Sequence, residues 1–149
     1  MQRGADVDVE VESVLAFPRE QVAAYAGDPA RAPEWYANID SGRWRTRPPV
    51  AVGSRMDFEA RFLGRRLSYT YEVVELVPGE RLVMRTADGS FPMETTYTWI
   101  DVPGGTLMRL RNRGAPTGFA KVGAPVMRRA MRAAMSKDLT LLAQKLGRA

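Results

Sequence analysis

The chain contains no cysteine and no histidine. The first absence rules out a disulfide framework, a cysteine nucleophile and any thiolate metal site. The second removes the commonest general base and the usual ligand of zinc and iron. Histidine-dependent triads, HExxH centres and two-histidine, one-carboxylate iron sites are therefore excluded, and neither a metal nor a cofactor is expected. A GxxxxGK[ST] loop, a GxGxxG turn and a GxSxG elbow are also missing, so no glycine pattern cradles a phosphate or exposes a serine. No run of about 18 apolar residues occurs and no apolar leader opens the chain. Stable membrane insertion is not expected, and the cytoplasm is the expected location.

What is present fits one domain over residues 1–149, large enough to bury roughly 70% of its extended surface without staples. The formal charge of +5 is unevenly spread. Residues 1–102 carry 12 Lys and Arg against 16 Asp and Glu, whereas residues 103–149 carry 10 against 1. Such asymmetry suits either an anionic partner or a solvated helix face whose arginines meet acidic strand edges. The basic residues lie beside small ones without aromatic interleaving, so nucleic acid is not expected as a partner.

Periodicity supplies the architecture. Met127, Met131, Met135, Leu139, Leu142 and Leu146 recur at helical spacing, with Arg128, Arg129, Arg132, Lys137 and Lys145 on polar positions. This predicts one long amphipathic C-terminal helix, with a bend or interruption near Gly123 and Pro125. Residues 53–113 alternate instead with a period of two. Val7, Val9 and Val11 open the chain as a strand with one wet face. Pro18 then starts a short helix over Arg19–Ala26, Gly27-Asp28-Pro29 breaks it, and a second short helix carries Ala32, Trp35 and Tyr36. Gly42–Arg47 reads as an edge strand protected by Arg43 and Arg45. Five further strands follow, punctuated by Gly64-Arg65, Pro78-Gly79, Asp88-Gly89 and Pro103-Gly104-Gly105. The order is β-α-α-β-β-β-β-β-β-α, an α+β chain with an antiparallel meander between helices.

Several local features carry a family resemblance. They are the Val7 to Phe17 strand with Pro18 after it, Pro29 followed by Trp35-Tyr36, and Val52-Gly53-Ser54. Tyr71-Glu72-Val73-Val74-Glu75 leading to Pro78-Gly79-Glu80-Arg81-Leu82, the Gly105-Thr106 strand opening and the terminal helix complete the set. With these the chain resembles the START-like (SRPBCC, helix-grip) superfamily, and within it the polyketide cyclase/dehydrase and lipid-transport family. The resemblance implies a seven-stranded curved antiparallel sheet wrapped around a long C-terminal helix. It also implies an interior cavity for lipids, sterols, polyketides or plant hormones. No acid–base motif matches residue by residue, so no catalytic residue is carried over.

The alternation places Phe58, Phe62, Tyr69, Tyr71, Met84, Tyr97, Trp99, Met108 and Leu110 inward from the strands. Phe119, Met127 and Met131 approach from the terminal segment, and Trp35 from the short-helix end. Aromatic and methionine side chains suit an adaptable apolar ligand, although the same spacing serves ordinary core packing. Asn112 continues the Met108-Leu110 face and would meet either a ligand carbonyl or the Gly114–Gly118 loop. Asp57 and Glu59 share a face with Arg55 and Arg61 and read as solvated, while Glu94 is ambiguous. No feature places a carboxylate inside.

The expected function is binding or carriage of a small hydrophobic or amphipathic molecule, such as a lipid, sterol or polyketide. One alternative is a metal-free cyclase/dehydrase in which Tyr71 or Tyr97 donates to a developing enolate and Asn112 orients a carbonyl. Another is a protein-interaction module of the co-chaperone type, using the basic helix face. A monomer and a homodimer are both compatible with the sequence.

Overall fold

The computed structural model describes residues 7–87, 92–115 and 122–148. Strand β1 (Val7–Leu15) leads into α1 (Arg19–Ala26), a 3₁₀ turn (Pro29–Arg31) and α2 (Ala32–Trp35). Six strands follow: β2 (Ile39–Trp44), β3 (Arg55–Phe62), β4 (Arg65–Val77), β5 (Arg81–Thr86), β6 (Met93–Val102) and β7 (Gly105–Gly114). Helix α3 (Ala124–Leu146) closes the chain. This is the helix-grip α+β architecture expected from the element order.

All seven strands form one antiparallel sheet in the order β1-β7-β6-β5-β4-β3-β2. The meander, in which each strand pairs with the next in sequence, accounts for five of the six pairings. The sixth joins the first strand to the last, from Val7 opposite Gly114 to Leu15 opposite Thr106. Consequently β1 and β2 become the two edges, and the α1–α2 segment crosses from one to the other. Register shifts between Ile39 and Ser41 and between Val73 and Glu75 mark irregularities in β2 and β4. Such bulges bend a strand and increase its local twist.

Two expectations need correction. The edge strand spans Ile39–Trp44 rather than Gly42–Arg47. Its start depends on β3 reaching far enough to place Ala60 opposite Ile39, a partner that local composition does not reveal. The terminal helix has no interruption at Gly123 and Pro125. Gly123 is its N-cap, and Pro125 falls in the first turn, where a missing N–H breaks no helical bond.

The apolar stripe of α3 is buried throughout. Burial of each such side chain contributes at most about 1.5–3 kcal/mol, an upper bound because unfolded chains already bury some surface. The helix comes closest to β1 and α2 and stands off from the middle of the sheet. On the outer face, Arg111 meets Asp8 and Arg109 meets Glu12, while Glu94 lies between Arg85 and Arg113. Thus the arginines of β7 face the acids of β1 and β6, and Arg132 of α3 donates to the carbonyl oxygen of Glu10. Each exposed pair contributes about 0–1 kcal/mol.

Candidate functional site

Between α3 and the concave face of the sheet lies a cavity of about 140 Å³. Its floor follows from the period of two. Met56, Phe58 and Ala60 of β3, Leu67, Tyr69 and Tyr71 of β4, and Leu82 and Met84 of β5 line it. Met93, Thr95 and Tyr97 of β6 and Asn112 of β7 continue that surface. Helix α3 supplies Met127, Met131, Ala134, Met135 and Asp138, which share one side because they are spaced by three and four. Gly27–Pro29 and, from β3 and β4, Arg61, Phe62 and Leu67 complete the lining, and all of them except Pro29 are at least partly exposed.

Gly42 lets the 3₁₀ turn close against this wall. A Cβ there would lie 2.4 Å from the Pro29 carbonyl oxygen and 2.9 Å from the Phe58 ring. Both residues line the cavity. The requirement is for space, since no positive φ is involved.

Nine residues singled out from the sequence reach the cavity: Phe58, Phe62, Tyr69, Tyr71, Met84, Tyr97, Asn112, Met127 and Met131. Four do not and belong to the packed core: Trp35, Trp99, Met108 and Leu110. Met108 pairs with Trp99, and Leu110 with Tyr97, on β6 and β7, two strands that α1 also contacts. Trp35 sits behind the tyrosines, its ring 4.1 Å from that of Tyr36 and 5.8 Å from that of Tyr97. It is a core plug and not part of the lining. Phe119 lies outside the described residues.

Two hydrogen-bonded groups interrupt the apolar wall. In the first, the Thr95 hydroxyl donates to Asn112 Oδ1 at 2.5 Å and lies 2.7 Å from the Tyr71 hydroxyl. Thr95 has one proton to give, so Tyr71 must be the donor to Thr95. That commits the Tyr71 proton, and among the described residues the Asn112 amide N–H groups have no acceptor. In the second, the hydroxyls of Tyr36 and Tyr97 lie 2.6 Å apart. One donates to the other, and the pair retains one spare proton for a ligand oxygen.

Burial raises all four phenols above their ordinary pKa. Tyr71 is pushed up to about 12, with its Thr95 bond opposing the shift. Burial raises Tyr36, Tyr69 and Tyr97 further, and the nearby Asp138 charge adds to each. These groups are neutral donors and acceptors at physiological pH. They are not bases.

Asp138 differs. It is the one charged side chain buried among the described residues. Burial raises its pKa to about 7, while the N–H of Ala37, donating to Oδ1 at 3.0 Å, and the charge of Lys137 oppose the shift. The sequence contained a signal for it. Asp138 is the sole acid after residue 102 and lies on the apolar stripe, three residues past Met135 and four before Leu142. The other acids considered are different. Burial of Glu94 is outweighed by Arg85 and Arg113, which hold its carboxyl below the usual range. Thr70 and Arg45 do the same for Asp57. Among the described residues, no group of three or more acids is placed to hold a metal ion.

A seven-stranded sheet gripping a C-terminal helix over an interior cavity defines a START-like protein. Residues 6–147 match the family described as polyketide cyclase/dehydrase and lipid transport, and the chain belongs to that family. No curated protein matches. Among solved structures, a START superfamily protein from Mycobacterium smegmatis is 13% identical with a TM-score of 0.80, covering 95% of this chain and 97% of its own. The protein TTHA0849 from Thermus thermophilus is 18% identical with a TM-score of 0.79, covering 93% and 96%. The di-domain ARO/CYC protein StfQ of the steffimycin biosynthetic pathway is 15% identical with a TM-score of 0.73, covering 94% of this chain and 50% of its own. At these identities the likeness is one of fold. No helix among the described residues is long and apolar enough to cross a membrane.

Proposed function

We propose that this protein binds a small hydrophobic or amphipathic molecule between α3 and the sheet. One observation carries the reading: a largely apolar cavity of about 140 Å³ whose wall includes two small hydrogen-bonded clusters and the buried Asp138. An apolar cavity of about 150 Å³ accepts benzene, whereas drug-sized ligands occupy roughly 300–1,000 Å³. A single ring therefore enters without movement. A sterol, lipid tail or fused polyketide requires the Gly27–Pro29 turn and the β3–β4 hairpin to separate.

A second reading has specific support. Asp138 titrates near neutrality, and the Tyr36–Tyr97 pair keeps a spare proton beside the same cavity. A base and a hydrogen-bond donor bordering the same cavity suit cofactor-independent cyclisation and dehydration.

Native mass spectrometry of freshly purified protein, followed by extraction of the bound material, tests both readings. A stoichiometric small molecule that extracts unchanged supports carriage. Loss of one water from a polyketide supplied to the protein, abolished in Asp138→Asn, supports the enzyme. Absence of both a co-purifying molecule and any thermal shift with single-ring and lipid panels would defeat the binding reading.

A further inference from the structure

We infer that the ligand of this cavity carries a basic nitrogen, bound as its ammonium form against the carboxylate of Asp138. The inference rests on the binding reading above and specifies the chemistry of the guest.

Charge is the first ground. Asp138 is the only ionisable acid or base buried within the wall among the described residues, apart from the tyrosines. The two other charged residues on the cavity, Asp28 and Arg61, are at least partly exposed and already engaged. Asp28 accepts from the N–H of Ala30, and Arg61 grips both carboxylate oxygens of Asp40 at 3.0 and 3.1 Å. No interior cation among the described residues balances Asp138. Its Oδ1 is held by Ala37, while Oδ2 has no donor among the described residues. A carboxylate kept from water without a counter-charge is costly, and an ammonium removes that cost by direct pairing.

The surroundings agree. Tyr36, Tyr69 and Tyr97 share the cavity with Asp138 and feel its charge. Aromatic rings attract cations through their faces, and phenol oxygens accept hydrogen bonds. Methionine thioethers from α3 and the strands add soft, polarizable surface without positive charge. The same wall opposes an anion. A fatty acid placed head-inward would set a second carboxylate beside Asp138 in a medium that screens poorly.

The plain alternative is that Asp138 is a tether, holding the exit of α2 onto α3 through Ala37. An asparagine would serve that role equally, because its Oδ1 also accepts from an N–H. Asp138→Asn therefore separates tether from counter-charge.

Benzylamine, benzyl alcohol and benzoate are suitable probes: one ring each, with positive, zero and negative charge. Binding to the full chain is followed by NMR titration at pH 8, with a thermal melt of each variant. The wild type is expected to bind benzylamine at least tenfold more tightly than benzyl alcohol, and benzoate more weakly than either. In Asp138→Asn the amine's advantage should vanish while benzyl alcohol binds as before. Wild-type protein provides an independent arm if that variant does not fold. The preference for the amine should shrink as pH falls from 8 to 5, because the carboxyl gains its proton while an alkylamine stays charged. The groups that face Asp138 are Lys137 on its own helix, Tyr36 after α2, Tyr69 on β4 and Tyr97 on β6, and burial holds the three phenols protonated across that range. On β1, Asp8 and Glu12 are paired outward with Arg111 and Arg109, and Glu10 lies near Arg109. On α2, Glu34 is held by Tyr25 and Arg31, and on α1 Arg19 is paired with Asp101 while Glu20 is exposed. Equal binding of alcohol and amine by wild type, or an advantage that persists in Asp138→Asn or at pH 5, overturns the inference and leaves the binding reading intact. Failure of all three probes to bind overturns the inference, and the binding reading falls with it only if the lipid panel and the extraction also fail.

Discussion

The side chain of Asp138, on the terminal helix, accepts a hydrogen bond at 3.0 Å from the backbone N–H of Ala37, just past α2. One contact thus joins the segment that bridges the sheet edges to the helix that closes the cavity. It also holds a carboxylate where water is scarce.

That placement predicts an inverted pH dependence for this residue. The folded pKa, about 7, exceeds the ordinary carboxylate value of 3.8, so the folded state binds more protons between those two points. Stability contributed by Asp138 is therefore full below about pH 4, falls as pH rises to about 7, and is flat beyond. The whole change is on the order of 2–4 kcal/mol. Asp138→Asn should remove this slope and gain more stability at pH 8 than at pH 5. Denaturant melts of both proteins at the two pH values provide the check, and an equal gain at both would contradict it.

Thr95 accepts a hydrogen bond from Tyr71 and donates one to Asn112, so its hydroxyl holds two polar groups at once. Thr95→Val keeps the shape and leaves both without their partner. It should cost about 1–3 kcal/mol. Asn112→Leu breaks part of the same chain, so the double variant should cost less than the two singles combined. Strict additivity in urea melts would show that the chain does not act as a unit.

Met108 and Met131 are both methionines and both buried, yet one is packed in the core and the other borders the cavity. Met108→Ala should cost about 2–5 kcal/mol. Met131→Ala should cost less, because Met131 already borders open space, and the enlarged cavity should accept two fused rings. Thermal shifts with naphthalene-sized probes measure the second effect, and a variant that still takes only one ring would argue against it.

Gly42→Ala should destabilise the protein by about 1–3 kcal/mol through overpacking. The new methyl must displace either the Pro29 carbonyl or the Phe58 ring, and both border the cavity. Wild-type stability in a urea melt would mean that the wall yields more readily than its spacing implies.

How much of the site was legible depends on what each residue needed. Phe58, Tyr71 and Tyr97 could be assigned inward by alternation, because side-chain direction in a strand is local. Trp99 and Met108 obey the same rule and face the same way, yet they belong to the packed core, on strands that α1 also contacts. Asp138 was missed: the alternation pointed to no inward carboxylate, and although it sits on the apolar stripe, charged side chains are almost always placed in water. Tyr36 stands beside Trp35 in the sequence, and only the close approach of Tyr97 makes it part of a pair.

The order of strands and helices, the one-sided faces of each and the family were already contained in the amino-acid sequence. They depend on residues a few positions apart, on turns and on the apolar period. The pairing of β1 with β7, the portion of the concave face left unfilled and the protonation of Asp138 were decided only by the tertiary structure. Those depend on groups about a hundred residues apart in sequence, such as Ala37 and Asp138, whose encounter sets local packing and dielectric.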